Sequence, residues 1–257
     1  MSNSTTEGLR LETDGAVAVI TIDRPGARNA LDAAALDALQ DAIHRIETDA
    51  AIGAAVITGA GGAFCAGADL REMADTQARY RPWAGADGPL ARPCAKPVIA
   101  AVEGHAVAGG LGVALWADLR IASESAVFGV FCRRFGVPMS DGTPTRLPAV
   151  IGRGRALDML LTGRPVDATE ALAIGLANRV VPAGEALPAA IALASEIAAF
   201  PPLATRADRA AAWAAFDAAE AERLVAEADG AEAAKRSEAA SGAARFKDGA
   251  GRGGSFE

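Results

Sequence analysis

Cysteine, histidine and long apolar runs are all scarce in this chain. Its three cysteines, Cys65, Cys94 and Cys132, are an odd, widely spaced set without a Cys-x-x-Cys pair. Neither a disulfide framework nor a zinc or other metal site is implied, and reduced thiols suit a cytoplasm. No segment offers the roughly 18 unbroken apolar residues that a membrane span requires. The Met1 to Glu7 stretch is polar and has no apolar run behind a basic end. The expectation is a cytoplasmic protein without membrane contact. Basic residues are outnumbered, 25 against 32, giving a net charge of -7. Such a surface has no long-range attraction for nucleic acid or anionic lipid, so an anionic ligand would need a local basic patch.

What is present is a large apolar fraction, 51% of 257 residues, enough for one substantial α/β core with a smaller appendage. Val17-Ala18-Val19-Ile20-Thr21-Ile22 is β-branched and bounded by Gly15 and Arg24-Pro25-Gly26, which predicts a strand. Asp32 is a candidate N-cap for a helix carrying Leu36, Leu39, Ile43 and Ile46 through about Thr48. A strand at Ala54 to Thr58 runs into a small-residue loop ending Ala66-Gly67-Ala68-Asp69, and Leu70 begins another helix. Val98 to Val102 repeats the layout: strand, the loop Gly104 to Gly110, then an apolar helix through Trp116. Between them, Asp75 to Ala95 is rich in polar residues, Gly and Pro, the pattern of a long surface loop over a pocket. Short strands follow at Leu119 to Ala122, Ala126 to Gly129 and Arg179 to Val181, with helices at Gly154 to Leu161 and Ala168 to Ile174. Beyond about Ala183 only Ala-rich helices are expected, separated at Pro188, Pro201-Pro202 and Gly230.

The two small-residue loops suggest chemistry. Backbone N–H groups that open a helix lack intrahelical partners and sit at its positive end. Runs such as Ala66-Gly67-Ala68 and Ala108-Gly109-Gly110 leave room for a ligand to press on them. Tight packing of helix on strand calls for the same small residues, and composition alone leaves both explanations open. Dinucleotide binding fails on the fingerprint, since Phe64 stands where the third glycine belongs, and a phosphate-binding P-loop fails because Gly110 follows Gly109 where lysine is required.

Several motifs in order carry a resemblance: Ile22-Asp23-Arg24-Pro25 with Asn29-Ala30-Leu31, Phe64-Cys65-Ala66-Gly67-Ala68-Asp69-Leu70, Pro97-Val98-Ile99-Ala100-Ala101-Val102, Ala108-Gly109-Gly110, Phe128-Gly129, Leu161-Thr162-Gly163 and Ala171 to Val181. Across roughly Val17 to Pro182 the chain resembles the enoyl-CoA hydratase/isomerase family, the crotonases. The resemblance implies an α/β spiral of ββα repeats over residues 1–195, and a helical C-terminal region over 196–257 that builds homotrimers or dimers of trimers. It also implies a lyase or isomerase acting on an acyl-CoA thioester, with coenzyme A entering as part of the substrate and no separate cofactor. Position by position, the N–H groups of Ala68 and Gly109 take the oxyanion-hole places, with Gly110 beside them, and the Ala66 carbonyl takes the place that accepts from adenine. Arg28 is the candidate cation for the CoA phosphates, a solvated surface arginine being the alternative.

The sequence also departs from the family. The two glutamates that flank the thioester in hydratases fall on Gly112 and Cys132. Water addition needs one group to activate water and another to protonate the α-carbon, and glycine supplies neither. Asp141 is the candidate surviving acid/base, with an N-cap role at the helix starting near Gly142 as its structural alternative. Cys132, followed by Arg133 and Arg134, is either an activated nucleophile or a buried inert thiol. His44 is expected in solvent, His105 in a structural role, Asp69 as a helix cap, and Glu103 and Glu124 at the surface. Two further functions compete: a noncatalytic acyl-CoA-binding relative, and a nicotinamide oxidoreductase already weakened by its failed fingerprint.

Overall fold

The computed structural model describes residues 3–6, 8–75, 81–234 and 240–250. Strands β1 (Asn3–Thr6), β2 (Leu9–Asp14) and β3 (Val17–Ile22) form an antiparallel meander, and α1 (Ala33–Thr48) follows with Asp32 as its N-cap, accepting from the Ala35 amide at 2.8 Å. Next come β4 (Ala54–Gly59), α2 (Leu70–Asp75), β5 (Val98–Val102), β6 (His105–Val107), α3 (Gly109–Trp116), β7 (Leu119–Ser123) and β8 (Val127–Gly129). After a 3-10 turn at Phe131–Phe135 the chain forms α4 (Thr143–Ile151), α5 (Arg153–Thr162), β9 (Val166–Asp167), α6 (Ala168–Ala173) and β10 (Arg179–Val181). Helices α7 (Ala186–Ala199), α8 (Pro202–Ala234) and α9 (Ala240–Lys247) complete it.

Seven strands make the main sheet in the order β1-β2-β3-β4-β5-β7-β10, parallel from β3 onward, and β6-β8-β9 make a smaller sheet. Each turn of the chain therefore lays one strand in the large sheet, one in the small sheet and then a helix: β5-β6-α3, then β7-β8-α4. The first turn, β4 to α2, is an abbreviated version in which Cys65 alone bridges to Ala106. This is the ββα spiral the resemblance implied.

β4 and β5 are almost wholly buried because both faces of the sheet are covered. Ala55, Ile57, Val98, Ala100 and Val102 face the main core with α1, while Ala54, Val56, Ile99 and Ala101 face a second cluster under Ala186, Ala190 and Leu193 of α7. That alternation makes the strands read as unbroken apolar runs. Because α7 packs on the sheet, the expected core boundary at residue 195 falls inside an element that belongs to the core. Glu103 helps to dock it, accepting from the Gly184 and Ala186 amides, so it is not a simple surface carboxylate.

Other expectations need correction. Pro188 does not interrupt α7: it lies in the first turn, where a missing N–H breaks no helical bond. Gly230 lies within α8. The loop expected from Asp75 to Ala95 has its first residue in α2, and 76–80 lie outside the described residues. From 81 onward it is no simple surface loop, since Trp83, Leu90 and Cys94 are buried. The Leu90 amide donates to the Trp83 carbonyl, and the Trp116 indole donates to Arg92 O, both at 2.8 Å.

Candidate active site

Asn29 sets the entry to the first small-residue loop. It is fully buried with a φ of 58°, its amide nitrogen donates to the Ala60 and Ala63 carbonyls, and its side-chain oxygen accepts from the Arg24 amide. Arg24 pairs with Asp32 and Asp69, binding the start of α1 to the start of α2. Asp69 also accepts from the Arg71 amide, which realises its expected capping role. These ties fix the loop while its backbone groups are consumed one by one. Cys65 N–H donates to His105 O, Ala66 N–H to Arg28 O, Leu31 N–H to Gly67 O, and Asp69 N–H to Leu31 O. Ala68 is passed over: its amide donates to no protein acceptor among the described residues.

The second loop ends the same way. Ala108 adopts φ 51° and ψ -129°, a sparsely populated backbone state for a residue with a side chain, and it directly precedes the first residue of α3. Such a state costs of order 1–3 kcal/mol, and it is held by the Ala108 amide donating to Gly129 O and the Leu111 amide donating to Ala108 O. The Gly109 amide, at the helix start, also has no protein acceptor among the described residues. The two loops meet at Gly67, whose φ is 95°. A methyl group there would stand 2.7 Å from the Gly109 nitrogen. Only glycine lets the chains cross this closely, and the crossing brings the Gly109 nitrogen against Gly67, the residue just before Ala68.

Ala68 and Gly109 both line a cavity of about 740 Å³, whose lining also includes Arg28, Ala66, Cys132, Met139 and Asp141. Gly110 does not line it. A side chain there would collide with the Cys65 carbonyl at 2.0 Å, so its small size serves packing behind the loop. His105, expected to be structural, is instead exposed at the cavity wall. Burial, aided by the charge of Arg28, holds its pKa below the usual histidine value. His44 is exposed on α1, as expected.

Asp141 is 4% exposed and lies directly over Gly112. A methyl placed on Gly112 would come within 2.5 Å of the Asp141 carboxyl carbon and 2.8 Å of its Oδ1. The acid thus occupies the space that a side chain at 112 would fill. Asp141 Oδ1 accepts from the Thr143 amide at 2.9 Å, but Gly142 is the N-cap of α4 and has no side-chain cap bond, so Asp141 is not the expected helix cap: it makes a local turn contact one residue ahead of the cap. Burial pushes the carboxyl up to about 6, while the Thr143 hydrogen bond and the Arg146 charge pull the other way. A carboxyl whose pKa is raised towards neutrality is suited to moving a proton in both directions.

Cys132 does not meet the requirements of a nucleophile. Burial dominates and pushes its thiol up to about 12, with only a partial opposing effect from Arg133. Arg133 donates to the Leu160 carbonyl, Arg134 stacks over the Phe131 ring at 4.5 Å, and the Cys132 thiol donates to Met139 Sδ at 3.0 Å. Its neutral thiol is a wall of the cavity.

Sequence reasoning missed Trp83, whose indole touches Gly109, and Phe246 of α9. Phe246 lines the cavity and meets Phe135 edge-on, with ring centroids 5.2 Å apart. Trp83 was hidden in a polar, Gly/Pro-rich stretch. Phe246 lies in a weakly patterned tail.

The chain matches the model of the family described as "Enoyl-CoA hydratase/isomerase" over residues 12–249. It is 39% identical over 204 residues to the enoyl-CoA hydratase EchA19 of Mycobacterium tuberculosis, covering 77% of each chain. Among solved structures, an enoyl-CoA hydratase from Mycobacterium tuberculosis H37Rv superposes with a TM-score of 0.79 at 36% identity, covering 90% of this chain and 100% of that one. A carnitinyl-CoA hydratase from Mycobacterium avium gives 0.84 at 38% identity, covering 95% and 97%. The chain belongs to the enoyl-CoA hydratase/isomerase family.

The raised Asp141 value has a stability consequence. The folded state holds this proton more tightly than the unfolded chain. The resulting stabilisation is complete below the ordinary carboxyl value and is lost as pH rises through about 6. Asp141→Asn should therefore be more stable than the parent at about pH 8, by of order 3 kcal/mol, with the gap closing near pH 4. Thermal unfolding across that range measures it; a gap independent of pH would contradict the burial of a charged Asp141.

Proposed function

We propose that this chain is an acyl-CoA enzyme that works through a thioester enolate and uses Asp141 as its one acid/base group. The thioester oxygen accepts from the Ala68 and Gly109 amides, and the adenosine end lies towards Arg28 and the Ala66 carbonyl. Removing a proton from carbon next to the thioester moves an electron pair onto its oxygen, and fixed donors stabilise that charge more than they stabilise the ground state. Asp141 takes the proton as a carboxylate and returns it as an acid to the same or a conjugated carbon. Either return restores the carbonyl; return to the same carbon regenerates the starting thioester, and return to the conjugated carbon shifts the double bond. What supports this most is the meeting of two unspent amides with a buried carboxyl in one cavity.

With Gly112 and Cys132 in the family's glutamate places, efficient hydration by two carboxylates is not expected. A second reading, an acyl-CoA binder without turnover, is favoured by those two replacements.

Purified protein presented with enoyl-, dienoyl- and malonyl-type CoA thioesters separates the two. The first reading expects turnover of at least one, cut by about 10² to 10⁴ in Asp141→Asn with CoA-ester binding retained. Binding without any turnover would establish the second. Restoring glutamate must respect the contact described above. Gly112→Glu alone drives a side chain into Asp141 and should not produce crotonyl-CoA hydration. Gly112→Glu with Cys132→Glu and Asp141→Gly clears the space and should.

The helical region from residue 196 is proposed to build a homotrimer or dimer of trimers. Phe200 and Leu203 on its surface, and Leu161 on α5, are exposed large apolar side chains of the kind an interface covers. Sedimentation should give three or six copies; a stable monomer at working concentrations would exclude this assembly.

A further inference from the structure

A second cavity, about 300 Å³, lies between α1 and α2 and shares three lining residues with the larger one: Ala68, Asp69 and Trp83. Trp83 is thus a common wall. It is 2% exposed, and its Cζ3 and Cη2 atoms stand 2.5 and 2.6 Å from where a side chain on Gly109 would begin. An indole so close to an oxyanion donor leaves no passage beside Gly109 for a long acyl chain.

The backbone that carries the ring is held from several directions. Its carbonyl accepts from the Leu90 amide, the neighbouring Ala84 amide donates to Ser140 O, and Arg146 donates to Leu90 O. The wall is therefore fastened to the segment that carries Asp141. Behind it, Leu31, Leu36 and Met73 give the smaller cavity an apolar lining. Its carboxylates are already engaged: Asp32 and Asp69 by Arg24, Asp37 by Arg81, and Glu72 by the Ala33 amide. The lining is mixed, and Leu31, Leu36, Met73 and Trp83 form the part of it that a hydrocarbon chain would meet.

We propose that Trp83 is the residue that sets acyl-chain length, closing the site behind a short acyl group and sealing off the cavity between α1 and α2. The proposal rests on the acyl-CoA reading above and assigns that reading a substrate class, short-chain acyl thioesters. Trp83 sets specificity without taking part in proton transfer.

Calorimetric binding of butyryl-CoA and octanoyl-CoA tests it without requiring turnover. The parent should favour butyryl-CoA by about tenfold or more, the scale on which a pocket senses extra methylenes. Trp83→Ala should remove or reverse that preference by gaining affinity for octanoyl-CoA, with butyryl-CoA affinity nearly unchanged. Adding Met73→Trp, which refills the smaller cavity, should abolish the gain. Trp83→Leu keeps more of the buried volume and should shift the preference in the same direction, which serves if the alanine variant does not fold. Equal parental affinity for both esters, or an unchanged ratio in folded Trp83 variants, would overturn the assignment of Trp83 alone. Failure of the parent to bind either CoA ester would instead overturn the acyl-CoA reading on which it rests.

Discussion

Two backbone amides that donate to no acceptor among the described residues are the constraint around which this molecule is arranged. Ala68 and Gly109 lie on the two loops that cross at Gly67, and both line the larger cavity. The strained backbone of Ala108 and the positive φ of Gly67 both act at that crossing. Together they keep two dipoles fixed before any ligand arrives, which is what makes such donors effective towards charge that develops during a reaction. The spiral topology supplies the rigidity: β4 and β5 are parallel neighbours buried on both faces, and each feeds one of the two loops.

Around that centre, polar groups and space have been exchanged between elements. Gly112 on α3 has given up its side-chain volume, and Asp141, arriving from the loop before α4, fills it. The position is buried enough to raise the carboxyl towards neutrality and close enough to Arg146 and the Thr143 amide to limit the rise. The same segment is tied through the Ser140 carbonyl to the loop carrying Trp83. The segment carrying Asp141 and the loop carrying Trp83 are thus tied to one another through their backbones.

Much of the scaffold was legible because its signals are local. The β-branched run Val17–Ile22, the Asp32 cap and the apolar run Val98–Val102 each specify their own structure, and all three elements occur where expected. β2 carried an overlooked signal, with Leu9 and Leu11 alternating inward. β6 spans only His105–Val107, too short for any period to be read. Ala68 and Gly109 were singled out through ordered motifs, since glycine and alanine do not by themselves reveal which residue lines a cavity. Gly109 and Gly110 are adjacent and identical in type, yet one borders the site and the other packs on Cys65. The partnership of Gly112 with Asp141 and the burial of Trp83 depend on contacts between segments distant in sequence, so no local pattern announces them.

The central claim concerns the polarisation of a thioester carbonyl by the Ala68 and Gly109 amides, and it can be tested without catalysis. The absorption spectrum of a conjugated dienoyl-CoA bound to Asp141→Asn reports the charge drawn onto its carbonyl oxygen. The account predicts a red shift on binding that disappears when the ligand is displaced by coenzyme A. A dienoyl-CoA that binds with its spectrum unmoved would mean that the two amides do not act on the thioester, and would contradict the account.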